Sequence, residues 1–287
     1  MAENKYWYRK VVLITGGSSG IGLAAAKQLA AAGAQVWLTA RRRELLEAAL
    51  KEVEVARRDP SQLCGIVPAD ISDPKQAAQV VESVTKSVGV PDVVFNSAGI
   101  TQPGYIQNLS GEVFEWLMQV NYFGTVYVST AVLPGMLQRG SGQIINISSM
   151  AGFLGVFGYT AYCASKFAVT GFSEALRAEM KPHGIRVSVA FPPDTDTPQL
   201  AYEAPYKPGE TKAISGNAKA LPAETVARSI LQQAEKGAFM IFPGFDSRLF
   251  YLLTSKLPKS LVFTVLDRMA ASAKKRENEQ PPSPFHI

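Results

Sequence analysis

The stretch VVLITGGSSGIG, Val11 to Gly22, joins a short apolar run to a glycine-rich turn and the first residues of a helical pattern. Val11–Ile14 is apolar without interruption, as expected of a strand in a sheet covered on both faces. Apolar spacing then predicts a helix over Ile21–Ala32. In the turn between them, Gly16, Gly20 and Gly22 allow a tight reversal, close approach of the backbone to a pyrophosphate, and close helix-to-strand packing. The free N–H groups at the helix start, around Ser19 to Ile21, favour an anion. The spacing is GxxxGxG and not the GxGxxG of the standard dinucleotide fingerprint, so the position of the turn directly after the first strand carries much of the reading.

Beyond this unit, short apolar runs alternate with longer helical patterns. Strands are expected at Gln35–Thr39, Gly65–Pro68, Val93–Asn96, Gln143–Ile147, Arg186–Ala190 and Phe239–Phe242. Helices are expected at Glu44–Arg57, Pro74–Val88, Gly111–Arg139, Tyr162–Lys181 and Ala223–Lys236. That alternation gives an α/β fold, a Rossmann-type doubly wound parallel sheet with helices on both faces. Neither a repeat nor a linker interrupts Val11–Phe245, so residues 1–245 are expected to form one nucleotide-binding domain that includes the active site. Residues 246–287 read as an amphipathic helical extension ending in a disordered, Pro-rich tail, EQPPSPFHI.

Composition excludes several classes. The chain has 287 residues, 47% of them hydrophobic, enough for a large core without disulfides. Cys64 and Cys163 lie in unrelated segments with no CxxC or Cys/His spacing, which excludes a disulfide framework and a zinc site and fits a reducing cytoplasm. No metal is expected. The net charge of +5 comes mostly from dispersed Lys and Arg, apart from Arg41-Arg42-Arg43 and KKRENE near the end. There is no basic stripe with stacking aromatics, so nucleic acid is not an expected partner. The opening MAENKYWYRK contains no signal-like apolar segment.

The end of the second strand reads Ala40-Arg41-Arg42, where an NAD-binding fold would place an acid on the ribose 2′-hydroxyl. Arg41 or Arg42 suits a 2′-phosphate, with Ser18 as a further hydrogen bond, and NADPH is therefore the expected cofactor. Asp70, in PADIS, stands where an adenine edge would lie; an Asp followed by SDP also reads as a helix cap. Farther on, GYTAYCASKF (Gly158–Phe167) holds two tyrosines. Lys166 follows Tyr162 by four residues and shares its helix face, whereas Tyr159 has Cys163 at that offset. A nearby ammonium stabilises a phenolate and lowers the phenol's pKa from about 10, so Tyr162 is the expected acid/base and Tyr159 a packing residue.

Together TGGSSGIG, NSAG at Asn96–Gly99, Asn121, Ser149 and YCASK at Tyr162–Lys166 resemble the short-chain dehydrogenase/reductase family over nearly all of Val11–Phe245. The resemblance implies that Tyr162 is the general acid/base and that Ser149 orients the carbonyl. Lys166 would lower the phenol's pKa and bind the nicotinamide ribose, and Asn121 would hold a proton-relay water. It also places Ile71, Asn96, Ala98, Gly99, Pro192, Thr195 and Thr197 among the cofactor contacts.

VAFPPDTDTPQL, Val189–Leu200, has Pro193 where most family members carry Gly, which stiffens the loop and removes a donor. This loop, with GVFGYTAYCASKFAVTGFSEAL, looks like that of the 3-ketodihydrosphingosine reductases of sphingolipid synthesis, except that an N-terminal membrane helix is missing. The resemblance implies reduction of a long-chain keto sphingoid base to dihydrosphingosine, in a homo-oligomer that is cytoplasmic or peripheral on the cytoplasmic membrane face. Asp194 and Asp196 would then stand near the substrate, either pairing with its ammonium or capping the loop. In RLFYLLTSKLPKSLVFTVLDRMA, Leu249, Leu252, Leu253 and Leu257, then Leu261, Val265 and Met269, recur at helical spacing. That stripe fits membrane docking, an active-site cover, or a subunit contact. Other ketones (a 3-oxoacyl thioester, a steroid, a retinoid) remain open as substrates at this point, as does a non-catalytic NADP-binding regulator.

Overall fold

The computed structural model describes residues 6–215 and 219–279. Its centre is β1 (Val11–Thr15), buried at all five positions. Even and odd residues feed separate cores: Val12 and Ile14 pack on one side of the sheet, Val11 and Leu13 on the other. The chain steps outward through α1 (Gly20–Ala31), β2 (Gln35–Thr39), α2 (Arg43–Val55) and β3 (Cys64–Ile66). It then crosses back through α3 (Pro74–Val88) to β4 (Val93–Asn96) on the far side of β1. From there α4 (Gly111–Leu117), a π-helical segment (Met118–Phe123), α5 (Gly124–Arg139), β5 (Gly142–Ile147), α6 (Thr160–Met180) and β6 (Ile185–Ala190) continue outward.

A two-residue ladder of β7 (Thr195–Asp196) with β8 (Leu221–Pro222) brackets α7 (Pro198–Glu203) and α8 (Gly209–Ser215). Then follow α9 (Ala223–Glu235), β9 (Met240–Ile241), α10 (Phe245–Lys256) and α11 (Lys259–Glu279). The main sheet is parallel with order β3-β2-β1-β4-β5-β6-β9. Its order reverses between β1 and β4, and in such sheets a crevice opens at the carboxyl ends of those strands. Register sets the floor of that crevice: Thr15 is level with Thr39 and with Asn96, and Asn96 with Asn146.

Three elements differ from the expected pattern. The helix expected over Gly111–Arg139 swells into a π turn at Met118–Phe123, and this segment carries Asn121. π turns re-aim side chains that a regular 3.6-residue period would misplace. β3 is only three residues long; a Cβ on Gly65 would lie 2.6 Å from the Trp37 ring. β9 is two residues at the sheet's edge. The Pro-rich tail lies outside the described residues, apart from Glu279.

The extension folds back onto the domain. Tyr251 of α10 packs against Phe153, Phe191 and Phe242, with ring centroids 5.2, 6.4 and 4.8 Å away. α11 packs on α8 and α10. The apolar stripe named above, Leu249 through Met269, points outward and stays exposed. Among the described residues no helix is long and apolar enough to cross a membrane. Replacing Tyr251 with Ala removes three ring contacts and should lower stability by about 2–3 kcal/mol, roughly 5–10 °C in Tm for a chain of this size. Thermal unfolding checks this, and an unchanged Tm would mean that α10 adds nothing to the fold it covers.

Candidate active site

A cleft of about 1450 Å³ runs along the carboxyl ends of the central strands. One end is built by the glycine turn. Gly16 has φ 65°, and a Cβ there would lie 2.7 Å from the Cα of Ala98. Ser97 Oγ donates to the Thr15 carbonyl at 2.6 Å, and the Ala98 N–H donates to Thr15 Oγ1 at 3.1 Å, fastening the ends of β1 and β4 together. Ser19 takes the N-cap position of α1 without its side chain capping the helix, and the first turn holds no acid. The N–H groups of that turn, beside Ser18, Gly20, Ile21 and Gly22 on the cleft wall, thus suit a pyrophosphate.

Most of the expected cofactor residues line this cleft, including Arg41, Arg42, Asp70, Ile71, Ala98, Gly99, Pro192, Thr195 and Thr197. Asp70 Oδ1 accepts from the Ser72 N–H and hydroxyl, at 3.0 and 2.7 Å, so its carboxylate also organises a turn. Thr197 caps α7, accepting from the Leu200 N–H at 3.3 Å, and its methyl closes over Gly20. Asn96 departs from expectation. It is off the cleft wall; its Nδ2 donates to Ser129 Oγ and Asn146 Oδ1, so the amide is turned into the layer between sheet and helices.

Asn121 is likewise off the wall. Its Oδ1 accepts from the Ile100 N–H at 2.8 Å, and its Nδ2 donates to the Ile100 carbonyl and to Ser165 Oγ. Its side chain is engaged in tying the β4 loop to α6.

The reacting corner lies at the end of β5. Ser149 caps a short turn, its Oγ accepting from the Ala151 N–H at 3.2 Å. Ser149 and Gln199 line the cleft with Tyr162, and each pulls its phenol downward. Lys166 Nζ donates to the Ile147 carbonyl at 2.9 Å and lies 5.7 Å from the Tyr162 ring centroid. Burial decides the electrostatics here. It pushes the Tyr162 phenol well above its usual value, against the lowering by Ser149, and the charge of Glu203 pushes the same way. Burial also brings the Lys166 ammonium down to about 8. The phenol is therefore raised and not lowered as expected, burial being the largest cause and Lys166 not among the groups that shift it.

Tyr159 does more than pack. Its hydroxyl donates to Glu203 Oε1 at 2.9 Å, and Lys207 Nζ meets the same oxygen at 2.8 Å. Burial, followed by the Glu203 charge, raises the Tyr159 phenol, which keeps it a neutral donor. Asp194 faces the cleft half-exposed, 3.9 Å from Lys207. Asp196 does not face it: it opens into a separate groove beside Lys27, Glu52 and Glu224. Gln199 and Glu203 carry no motif that singles them out, and the side chains of α10 and α11 that line the cleft are not those of the expected stripe. The i,i+4 spacing of Glu203 and Lys207 was the only signal for that pair.

A short chain dehydrogenase family profile matches residues 10–206. The chain belongs to that family. Short-chain dehydrogenases are oxidoreductases that use a nicotinamide cofactor, and the glycine turn, the uncapped α1 and the Ser149–Tyr162–Lys166 corner fit one. The chain is 41% identical over 245 residues, 85% of its length and 73% of the relative's, to the 3-ketodihydrosphingosine reductase of Bos taurus. It is also 40% identical over 200 residues, 69% of its length and 66% of the relative's, to a fatty acyl-CoA reductase of Acinetobacter baylyi. Among solved structures, levodione reductase superposes with a TM-score of 0.75 at 26% identity, covering 82% of this chain and 96% of that one.

Lys166 makes the corner costly to the fold of this short-chain dehydrogenase. The unfolded chain keeps this proton up to about 10.5, the folded one only below about 8. The penalty is therefore full below pH 8 and fades as pH rises toward 10.5. Lys166→Met removes up to about 3 kcal/mol of that penalty and loses about 1 kcal/mol of hydrogen bond. The ligand-free variant should melt higher than wild type at pH 7, with the gain shrinking at alkaline pH. A lower Tm at every pH would mean that the Ile147 bond outweighs desolvation.

Proposed function

We propose that this protein reduces 3-ketodihydrosphingosine to dihydrosphingosine with NADPH. The observation that carries the reading is the run of 3-ketodihydrosphingosine reductases among its relatives, 41% identical over 85% of the chain for the first three. The cleft supports it: beyond Tyr162 its wall includes Phe250, Phe263, Leu266 and Ala270 of the extension, an apolar surface suited to a long alkyl chain. For the cofactor, Arg41 and Arg42 stand on the wall at the end of β2 where no acid is present, which favours a 2′-phosphate. Gly16, Gly20, Gly22 and the first turn of α1 would hold the pyrophosphate, and Lys166 the nicotinamide ribose.

The bound nicotinamide supplies a hydride to the carbonyl carbon. Ser149 donates a hydrogen bond to the carbonyl oxygen and polarises it. Tyr162 gives that oxygen its phenolic proton, so the C=O bond becomes CH–OH and the phenolate remains. Lys166 offsets the new negative charge. Before the step its ammonium is buried with a neutral phenol; after it, ammonium and phenolate compensate each other, so the interaction is stronger at the end of proton transfer than at its start. Asn121 positions this machinery through Ser165 and Ile100. The outward stripe of α10 and α11, with Lys256 and Lys259 between its halves, is the surface that would rest on a membrane where such lipids reside.

Purified protein should oxidise NADPH in the presence of 3-ketodihydrosphingosine, and Tyr162→Phe should abolish turnover while cofactor binding persists. Arg41→Ala should weaken NADPH binding by about tenfold or more and leave NADH nearly unchanged, since a charge-assisted hydrogen bond is worth about 1.5–3 kcal/mol. Equal losses for both cofactors would remove Arg41 from the 2′-phosphate.

A further inference from the structure

Resting on that reading of the substrate, we infer that Glu203 receives the substrate's ammonium and so makes this site selective for amino ketones. In 3-ketodihydrosphingosine the ammonium is on the carbon next to the ketone, so whatever binds it must stand beside Tyr162. Glu203 does: Tyr159, which bonds it, has its ring 5.7 Å from that of Tyr162, and the Glu203 charge acts on the Tyr162 phenol. The residue is only 6% exposed but lines the cleft. Both of its carboxylate's bonds go to Oε1; among the described residues Oε2 has no hydrogen-bond partner, which leaves it for a ligand.

In direct contact around Glu203, carboxylates outnumber ammonium groups. Lys207 is the single ammonium between two carboxylates, Glu203 at 2.8 Å and Asp194 at 3.9 Å, and it is not itself on the cleft wall. It holds Glu203 from behind and neutralises one negative charge of the two. The other charged groups on this part of the wall are Lys219 and Asp267, exposed and opposite in sign, and Lys166, whose ammonium is bonded to the Ile147 carbonyl and touches neither carboxylate. Asp194 is half-exposed and Asp196 is outside the cleft, so neither matches Glu203 in desolvation, which is what strengthens a charge-assisted contact.

The test measures kcat/KM with NADPH on 3-ketodihydrosphingosine and on 1-hydroxyoctadecan-3-one, which lacks the amine. Wild type should prefer the amino ketone by at least about tenfold, and Glu203→Gln should bring that ratio close to one. Because Glu203→Gln takes from the buried Lys207 its nearer carboxylate, the double change Glu203→Gln/Lys207→Gln is measured beside it and should give the same collapse. A wild-type ratio near one overturns the inference without any variant. Equal proportional losses on both ketones would also overturn it, making Glu203 a brace for Tyr159. Wild type that reduces neither ketone would instead remove the proposed function.

Discussion

Lys166 is buried, and the hydrogen bond that holds its ammonium goes to the carbonyl of Ile147 at the end of β5. Little else in the molecule explains why that arrangement is kept. A lysine brought down to about 8 by burial is a cost to the folded state near neutrality, and an apolar residue would fit the surroundings better. The cost becomes intelligible in the proposed reaction, in which the neighbouring phenol would give up its proton: the buried cation would then gain an anion beside it, and the site would be most comfortable in the state that follows proton transfer. Asn121 ties the β4 loop to α6, the helix that carries both Tyr162 and Lys166.

The sheet makes that corner possible. Parallel register puts the ends of β1, β4 and β5 level, and the reversal of strand order beside β1 opens one cleft that serves two purposes. At its glycine end a side chain on Gly16 would strike the Ala98 backbone. At its other end α10 and α11 fold back over it and supply apolar side chains, anchored by Tyr251 among Phe153, Phe191 and Phe242. The extension thus turns one apolar face toward the cleft and leaves another exposed, a division that suits an enzyme meeting a lipid.

Much of this was legible in the sequence. Continuous apolar runs gave away the buried strands because nothing else in a chain of this composition needs them, and α3 matches its expected bounds because Asp73 caps it and Pro74 starts it. The Tyr162–Lys166 spacing placed both on one face of α6. What was not legible depended on contacts between distant segments. The π turn at Asn121 follows from its bonds to Ile100 and Ser165, which no local pattern encodes. Asn96 faces away from the cleft because of Ser129 and Asn146, residues from two other elements. Asp194 and Asp196 are equivalent in the sequence pattern, yet only the first lines the cleft, and Asp196 opens into a separate groove. The sign of the Tyr162 shift escaped because desolvation is a property of the assembled site.

The most direct measurement follows the hydrogen itself. NADPH fully deuterated at C4 of its nicotinamide ring would be mixed with the protein and 3-ketodihydrosphingosine, and the product examined by mass spectrometry and NMR. The account predicts dihydrosphingosine with one deuterium, on C3. Product without deuterium at C3, or unchanged ketone after prolonged incubation with active-site concentrations of protein, would contradict it.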